Sequence, residues 1–386
     1  MPISDRKGGY VRPGYDPLLV PNQPTSPSMS QVSSTSVSVA FTAPTNVGGG
    51  AITSYTVVAT DTSSGATFAG TGSASPITIT GLTTGNTYTA QAIANNAYGP
   101  SAPSTASTSL TLATFSQTAY TTAGSYSWVA PAGVTSVSIV AVGGGGGSNT
   151  YPNSGARVGG SGGGGGGLGY KNNITVTPGN SYTVVVGDGG RGATGFGSSS
   201  NANVIGNQNY AEDGASSSFN GVAYATGGEG GGNGSSGQYY GGAGGSNTVS
   251  ADGGGTGGTG GSNQNVHSYW GFGGGAAGYS GNGGNGGTWQ AGDPYTTGSS
   301  AGTGGGAGGA ANWSQQCGVG LNGEGASGAV SQAGSGGTVG NIGYSGGGAS
   351  TPGTSIANTM KGAPGGVRII WPGNARSFPS TNTADF

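Results

Sequence analysis

Between Gly143 and Gly366, 78 of 224 residues are glycine. A segment of that kind has almost no side-chain surface from which to build an apolar core. Ordering it is also expensive, at roughly 0.5–1 kcal/mol per glycine relative to alanine. Only two outcomes are open: the segment stays unordered, or its backbone groups hydrogen-bond to one another densely enough to offset the cost. The flanks favour order. Val137, Ile139 and Ala141 alternate with Ser136 and Ser138 as in a half-buried strand, and this strand runs straight into Gly143–Gly147. Val367-Arg-Ile-Ile-Trp371 closes the region with another strand, so its two ends are tied. Ile174 to Val186 reads as a strand pair turning at Pro178-Gly179, and Ser217 to Ala225 as a hairpin.

Collagen is excluded, because glycine is not at every third position and proline is scarce. The remaining ordered form is a bundle of extended polyglycine helices of polyproline-II type, with three residues per turn and no internal hydrogen bonds. Gly253-Gly-Gly-Thr-Gly-Gly-Thr-Gly-Gly261 and Gly281-Asn-Gly-Gly-Asn-Gly-Gly287 place one side chain on every third residue. Such segments have two bare faces for neighbours and one for solvent. The run Gly162–Gly167 suits the interior of the bundle.

The first 142 residues have ordinary composition, with 14 glycines. From Pro24 to about Ser104, short alternating segments separated by Gly, Pro and Asn turns predict a β-sandwich: Val37, Val39 and Phe41; Tyr55, Val57 and Ala59; Ile77 and Ile79; Tyr88, Ala90, Ala92 and Ala94. Ile79-Thr-Gly-Leu-Thr-Thr-Gly-Asn-Thr-Tyr88, followed by Ala94-Asn-Asn-Ala-Tyr-Gly-Pro-Ser-Ala-Pro103, resembles the second half of a fibronectin type III domain. The resemblance places Leu82 and Tyr88 at that family's tyrosine corner, and Phe41 where a tryptophan is usual. It implies a fold and a spacer role, and little more about function.

Val129-Ala-Pro-Ala-Gly-Val-Thr-Ser-Val137 ahead of polyglycine resembles the entry strand of glycine-rich domains in bacteriophage tail proteins. The interrupted glycine blocks are similar to the tip adhesins of long phage tail fibres, in which polyglycine helices form a sandwich and loops between them touch the host receptor. The expected class is therefore all-β: a fibronectin type III β-sandwich, then a glycine-rich domain of β-strands and packed polyglycine helices. The boundaries read as an N-terminal anchoring arm at 1–21, the sandwich at 22–104, a linker at 105–114, the glycine-rich domain at 115–371 and a tail at 372–386.

Chemistry-bearing residues are sparse. Charged side chains make up 5% of the chain, with a net charge of −2, one histidine and one cysteine. That balance gives no basic surface for nucleic acid, no internal disulfide and no cluster for a metal or an acid–base pair. No apolar run is long enough for membrane insertion. Gly159-Gly-Ser161-Gly-Gly163 fits a nucleophile-elbow pattern, but short glycine motifs recur by chance at this composition. His267 with Cys317 has no catalytic context, and Asp188 and Asp252 lack the recurrence of a calcium repeat. The expectation is a non-enzyme without cofactors.

The aromatics lying between glycine blocks are the candidate receptor contacts: Tyr239, Tyr240, His267 (with Asn263, Gln264 and Asn265), Tyr269, Trp270, Phe272, Trp289 and Trp313. Two readings stand. The rings stack on a host glycan or anchor a host protein, or they cap the open ends of the polyglycine bundle. In the arm, Arg6, Tyr10, Arg12, Tyr15, Leu18 and Leu19 are the candidates for anchoring to other virion proteins. The first residues lack the apolar stretch of a secretory signal peptide. The resulting expectation is a virion tail-fibre or tail-tip protein, made in the host cytoplasm, that attaches to the host surface and forms a homo-oligomer, a trimer being usual for phage fibres. The alternatives are a capsid decoration or fibre protein and a bacterial surface adhesin.

Overall fold

The computed structural model of the chain describes residues 20–152, 158–194, 204–206, 210–233, 239–247, 250–262, 269–290, 298–303, 306, 318–324, 326–329 and 361–380. The chain divides into two units, Met1–Phe115 and Ser116–Phe386. Every regular element among the described residues is a β-strand.

The first unit is a β-sandwich. Thr25–Ser33, Ser36–Thr42 and Ile77–Ile79 form one sheet; Thr67–Gly72, Ile52–Asp61 and Thr87–Asn96 form the other, with Gly99–Pro100 and Leu110–Thr111 also paired to Thr87–Asn96. The alternation seen in the sequence becomes the core: Val37 and Val39 face Val57, Ala59, Tyr88 and Ala92, all fully buried. The Tyr88 hydroxyl accepts the Thr83 N–H at 2.9 Å above a buried Leu82, closing a tyrosine corner.

The expected linker at 105–114 belongs to this sandwich. Ser101, Ser104 and Ser107 recur every third residue, and their hydroxyls accept the N–H groups of Ala94, Ala92 and Ala90 at 3.0, 2.9 and 2.9 Å. Their own N–H groups donate back to the carbonyls of the same three alanines. Leu112 then enters the core. A three-residue period carried by serines has no apolar stripe, so a search for apolar alternation passes over it.

In the second unit two sheets face each other. One has the order Gly124–Val129, Ser181–Val186, Ser217–Phe219, Ala223–Ala225; the other Gly253–Gly255, Leu168–Thr175, Ser136–Val142, Gly366–Trp371, Ser116–Tyr120. Trp128, Val184 and Phe219 of the first pack on Val137, Ile139 and Ile369 of the second. The hairpin at Ser217–Ala225 forms as the sequence predicts.

Three expectations are corrected by this arrangement. Ile174 to Val186 is not a strand pair: Leu168–Thr175 pairs with Ser136–Val142, and Ser181–Val186 with Gly124–Val129, so the Pro178-Gly179 turn carries the chain from one sheet to the other. Val176, Val184 and Val186 all point into the core between the sheets. Ser136–Val142 is buried along its whole length rather than on one face, because Val140 and Val142 meet a second core containing Tyr170, Phe272 and Tyr279. Residues 372–380 are not a loose tail. Phe378 stacks on Tyr279 with centroids 5.9 Å apart, Ser138 Oγ donates to the Arg376 carbonyl at 2.7 Å, and the Arg376 guanidinium donates to the Ser116 carbonyl at 2.6 Å.

The strands of these facing sheets continue directly into glycine: Ser136–Val142 into 143–148, Ser181–Val186 into 187–191, and 162–167 into Leu168–Thr175. Gly143 and Gly146 donate to Gly167 and Gly164; Gly144 and Gly147 donate to Ala215 and Glu212; Gly145 donates to Ala363. Each neighbour is met again after three residues, which is the turn of a polyproline-II helix. Among the described residues, 143–148 bonds to segments 162–167, 187–191, 211–216, 226–231 and 361–365. Segment 162–167 bonds to 143–148, 226–231, 241–246, 256–262 and 272–277.

These partnerships close into a hexagonal packing of three rows. Segments 187–191, 143–148, 162–167 and 256–262 form the middle row; 211–216, 226–231 and 241–246 form one outer row; 361–365, 272–277 and 282–287 lie on the other side. The approach is close enough to exclude any side chain. A Cβ added at Gly163 would clash with the Gly146 carbonyl oxygen and lie 2.7 Å from that of Gly147.

Where the lattice ends sideways, side chains stand in for the missing helix. Asn282 and Asn285 accept the Thr256 and Thr259 N–H groups through Oδ1 at 3.0 Å. The Thr303 and Ser300 hydroxyls then accept the N–H groups of Asn282 and Asn285 at 2.8 Å. The exposed side chain on every third residue thus finishes the edge.

Candidate functional site

A six-residue polyglycine helix is about 19 Å long at roughly 3.1 Å per residue. Segment 143–148 therefore carries the chain well away from the two facing sheets before Asn149–Pro152 begins. There a further sheet forms, in the order Val204–Gly206, Gly192–Thr194, Asn149–Pro152, Val158–Ser161, Tyr269–Gly271, Thr288–Gln290. Some of its pairs are parallel, as expected when helices of one lattice emerge side by side in the same direction.

This remote end gathers several of the candidate aromatics. Trp270 and Trp289, far apart in sequence, are direct register partners, with Tyr269 opposite Gln290. Tyr239 and Tyr240 lie on a two-stranded ladder opposite Asn233 and Gly232. Phe272 must be withdrawn as a receptor contact. It is fully buried and packs in the core with Ala276, Tyr279 and Leu321 on the outer face of the five-stranded sheet. The residue follows Gly271 by one position and already belongs to the lattice, with its ring turned inward. His267, Trp313 and Cys317, and the arm residues Arg6, Tyr10, Arg12, Tyr15, Leu18 and Leu19, lie outside the described residues.

The structure adds a groove that the sequence did not single out. Its volume is about 540 Å³, and it crosses the outer row where segments 211–216, 226–231 and 241–246 meet the remote end. Tyr210 bridges Gly232 on one side, and Tyr240 pairs with the same Gly232 on the other. Register partners project to the same face of a ladder, so the two tyrosines flank a glycine slot. The Tyr210 ring leans over that slot: a Cβ on Gly232 would sit 2.5 Å from its Cδ1 and Cε1. Tyr210 and Tyr240 are 62% and 48% exposed, among the most exposed large apolar residues described.

Glu212, Asp213 and Glu229 line the same groove. Glu212 is neutralised by a forked contact with Arg191, whose hydrogen bonds hold the carboxyl below the usual range. Asp213 accepts the Gly230 N–H at 2.8 Å. Glu229 is exposed, while its backbone is fixed by bonds to Ala243 and Gly164. Tyr210 stands between two isolated glycines, Gly206 and Gly214, rather than at a glycine block, and nothing local in sequence connects residues 210, 232 and 240.

The remaining sequence candidates have structural roles. Ser161 is fully buried on a strand and donates to the Gly232 carbonyl at 3.2 Å, with no strand-to-helix turn around it. Asp188 pairs with Lys361 and Asp252 with Lys171, each at 2.7 Å. Among the described residues no three His, Cys, Asp or Glu side chains are grouped to hold a metal.

Comparison with known proteins gives two family matches: the glycine-rich domain over residues 121–372 and the fibronectin type III domain over residues 22–109. No curated protein matches the chain. Among solved structures, domains A168–A170 of titin are 29% identical with a TM-score of 0.24, over 24% of this chain and 32% of that one. Titin module A71 from human cardiac muscle is 28% identical with a TM-score of 0.22, over 25% of this chain and 95% of that one. The FN5 domain of Drosophila Lar is 22% identical with a TM-score of 0.21, over 24% and 98%. The chain spans about a third of the titin A168–A170 structure and 17% of a structure of titin kinase with its flanking domains.

Proposed function

The chain belongs to the glycine-rich domain family, its glycine-rich domain preceded by a fibronectin type III domain, and on that premise we propose that it is a bacteriophage virion protein, a tail-fibre or tail-tip component that attaches the particle to the host surface. The observation that carries this reading is the placement of the aromatics. Trp270, Trp289 and the Tyr210–Gly232–Tyr240 ladder all sit at the end of the lattice remote from the two facing sheets. A stack of backbone-bonded helices costs little to keep in one shape once formed, so residues held at its tip are pre-organised to bind. In this proposal residues 1–21 anchor the chain to other virion proteins and the fibronectin-type unit acts as a spacer. The protein works without catalysis, after synthesis in the host cytoplasm.

Immunogold electron microscopy of virions, with antibody to residues 115–386, tests the assignment. Label on the tail or its fibres supports it. Label over the capsid assigns a decoration protein instead, and unlabelled particles return a bacterial surface adhesin to first place.

A further inference from the structure

The groove on the outer row has the chemistry of a saccharide site, and we infer that it binds a neutral sugar unit of a surface glycan, with Tyr210 and Tyr240 as stacking surfaces and Asp213 and Glu229 as hydroxyl acceptors. This rests on the attachment reading for its biological source but not for its chemistry. Three features carry it.

The first is the aromatic pair. Two strand spacings of about 4.8 Å separate the backbones at 210 and 240, with only Gly232 between them. Tyr210 is largely exposed and Tyr240 about half exposed, and Tyr210 is supported from beneath by Gly232. A pyranose has apolar C–H faces that match such rings, while its rim is polar.

The second is the polarity of the walls. Ionised carboxylates only accept hydrogen bonds, and with Glu212 matched by Arg191 the excess charge rests on Asp213 and Glu229. Donor-rich hydroxyls suit these walls, and anionic glycans are repelled by them.

The third is rigidity. Gly231 donates to Gly147, Gly242 to Gly162 and Ala211 to Gly231, at 2.9, 3.0 and 3.0 Å, so the floor is part of the lattice. Its volume, about 540 Å³, falls within the range of small-ligand sites.

The test is saturation-transfer NMR on the full chain with maltotriose and the trisaccharide of N-acetylglucosamine as neutral probes, sialyllactose as the acidic probe and trilysine as a cationic peptide. The expected result is transfer to at least one neutral trisaccharide and none to sialyllactose. Tyr210→Ala and Tyr240→Ala each weaken binding about tenfold or more. Tyr210→Phe keeps the stacking surface and most of the affinity, which separates loss of the ring from loss of the fold. Glu229→Gln weakens binding less.

No transfer to either neutral probe overturns the proposal. So does transfer that is unchanged in both alanine variants while thermal melting shows them folded. Binding of trilysine in place of the sugars assigns the groove to a basic peptide and equally overturns it. Adsorption of labelled protein to host cells is read separately. Cell binding without sugar binding leaves attachment standing and removes this site; sugar binding by a chain absent from virions does the reverse.

Discussion

Replacing Gly163 by alanine puts the lattice to its hardest test. At an unconstrained position the change stabilises by about 0.4–1 kcal/mol, because the unfolded chain has less freedom to lose. At Gly163 the new methyl would clash with the Gly146 carbonyl oxygen and approach that of Gly147 to 2.7 Å. Ordinary contacts begin near 3.4 Å. Segments 143–148 and 162–167 must therefore separate, and the bonds at risk are Gly143 N–H to Gly167 and Gly146 N–H to Gly164, both 2.9 Å. Leaving a buried donor or acceptor unpaired costs about 1–3 kcal/mol. If two such groups are left unpaired, the net loss is about 1–5 kcal/mol after the entropic gain is subtracted. For a unit of this size that lowers the melting temperature by roughly 2–20 °C. Differential scanning calorimetry of the full chain reads the transition of the second unit separately from that of the first. Gly50→Ala is the control. Its Cβ would make only ordinary contacts with the Tyr98 ring, to Cε2 at 3.5 Å and Cδ2 at 3.9 Å, and the change should be neutral or slightly stabilising. A Gly163→Ala protein whose second transition stays within about 0.5 kcal/mol of the parent would refute the argument that close backbone approach holds this domain together.

Three other perturbations probe the edge of the lattice and the first unit. Asn285→Ala removes the acceptor for the Thr259 N–H; hydrogen exchange at that amide should speed up while stability falls by only about 0.5–1.5 kcal/mol, since water can replace the side chain. Tyr88→Phe deletes the hydroxyl that accepts the Thr83 N–H and should cost the first unit about 1 kcal/mol in urea denaturation without affecting the second. Asp61 accepts from the Ser63 hydroxyl at 2.7 Å and the Ser63 N–H at 2.8 Å, and these bonds hold its carboxyl well below the usual range. Because the folded value is depressed, its stabilisation is present above the unfolded carboxylate range near pH 4 and is lost as pH falls through the folded value. Asp61→Asn should flatten that acid slope in the melting of the first unit, and an unchanged slope would locate the effect elsewhere.

Local period and composition were enough to specify the kind of order in each half of the chain. Alternation at Val37, Val39, Val57 and Ala59 specifies strands with one buried face, and these became a sandwich core. Glycine beyond any side-chain packing leaves backbone bonding as the only source of order, and triplets such as Thr256-Gly-Gly-Thr259 show which face meets solvent. Tertiary structure decided the partners, because hydrogen-bonding groups in a lattice of near-identical glycine segments carry no sequence label. Nothing local says that Gly143 meets Gly167, or that Pro178-Gly179 crosses between sheets instead of closing a hairpin. The same holds for the site. Phe272 and Tyr240 are both aromatics beside glycine, yet one is sealed in a core and the other borders an open groove. Tyr210, Gly232 and Tyr240 become neighbours only because three separate segments return through one packing, and their shared face arises from that register.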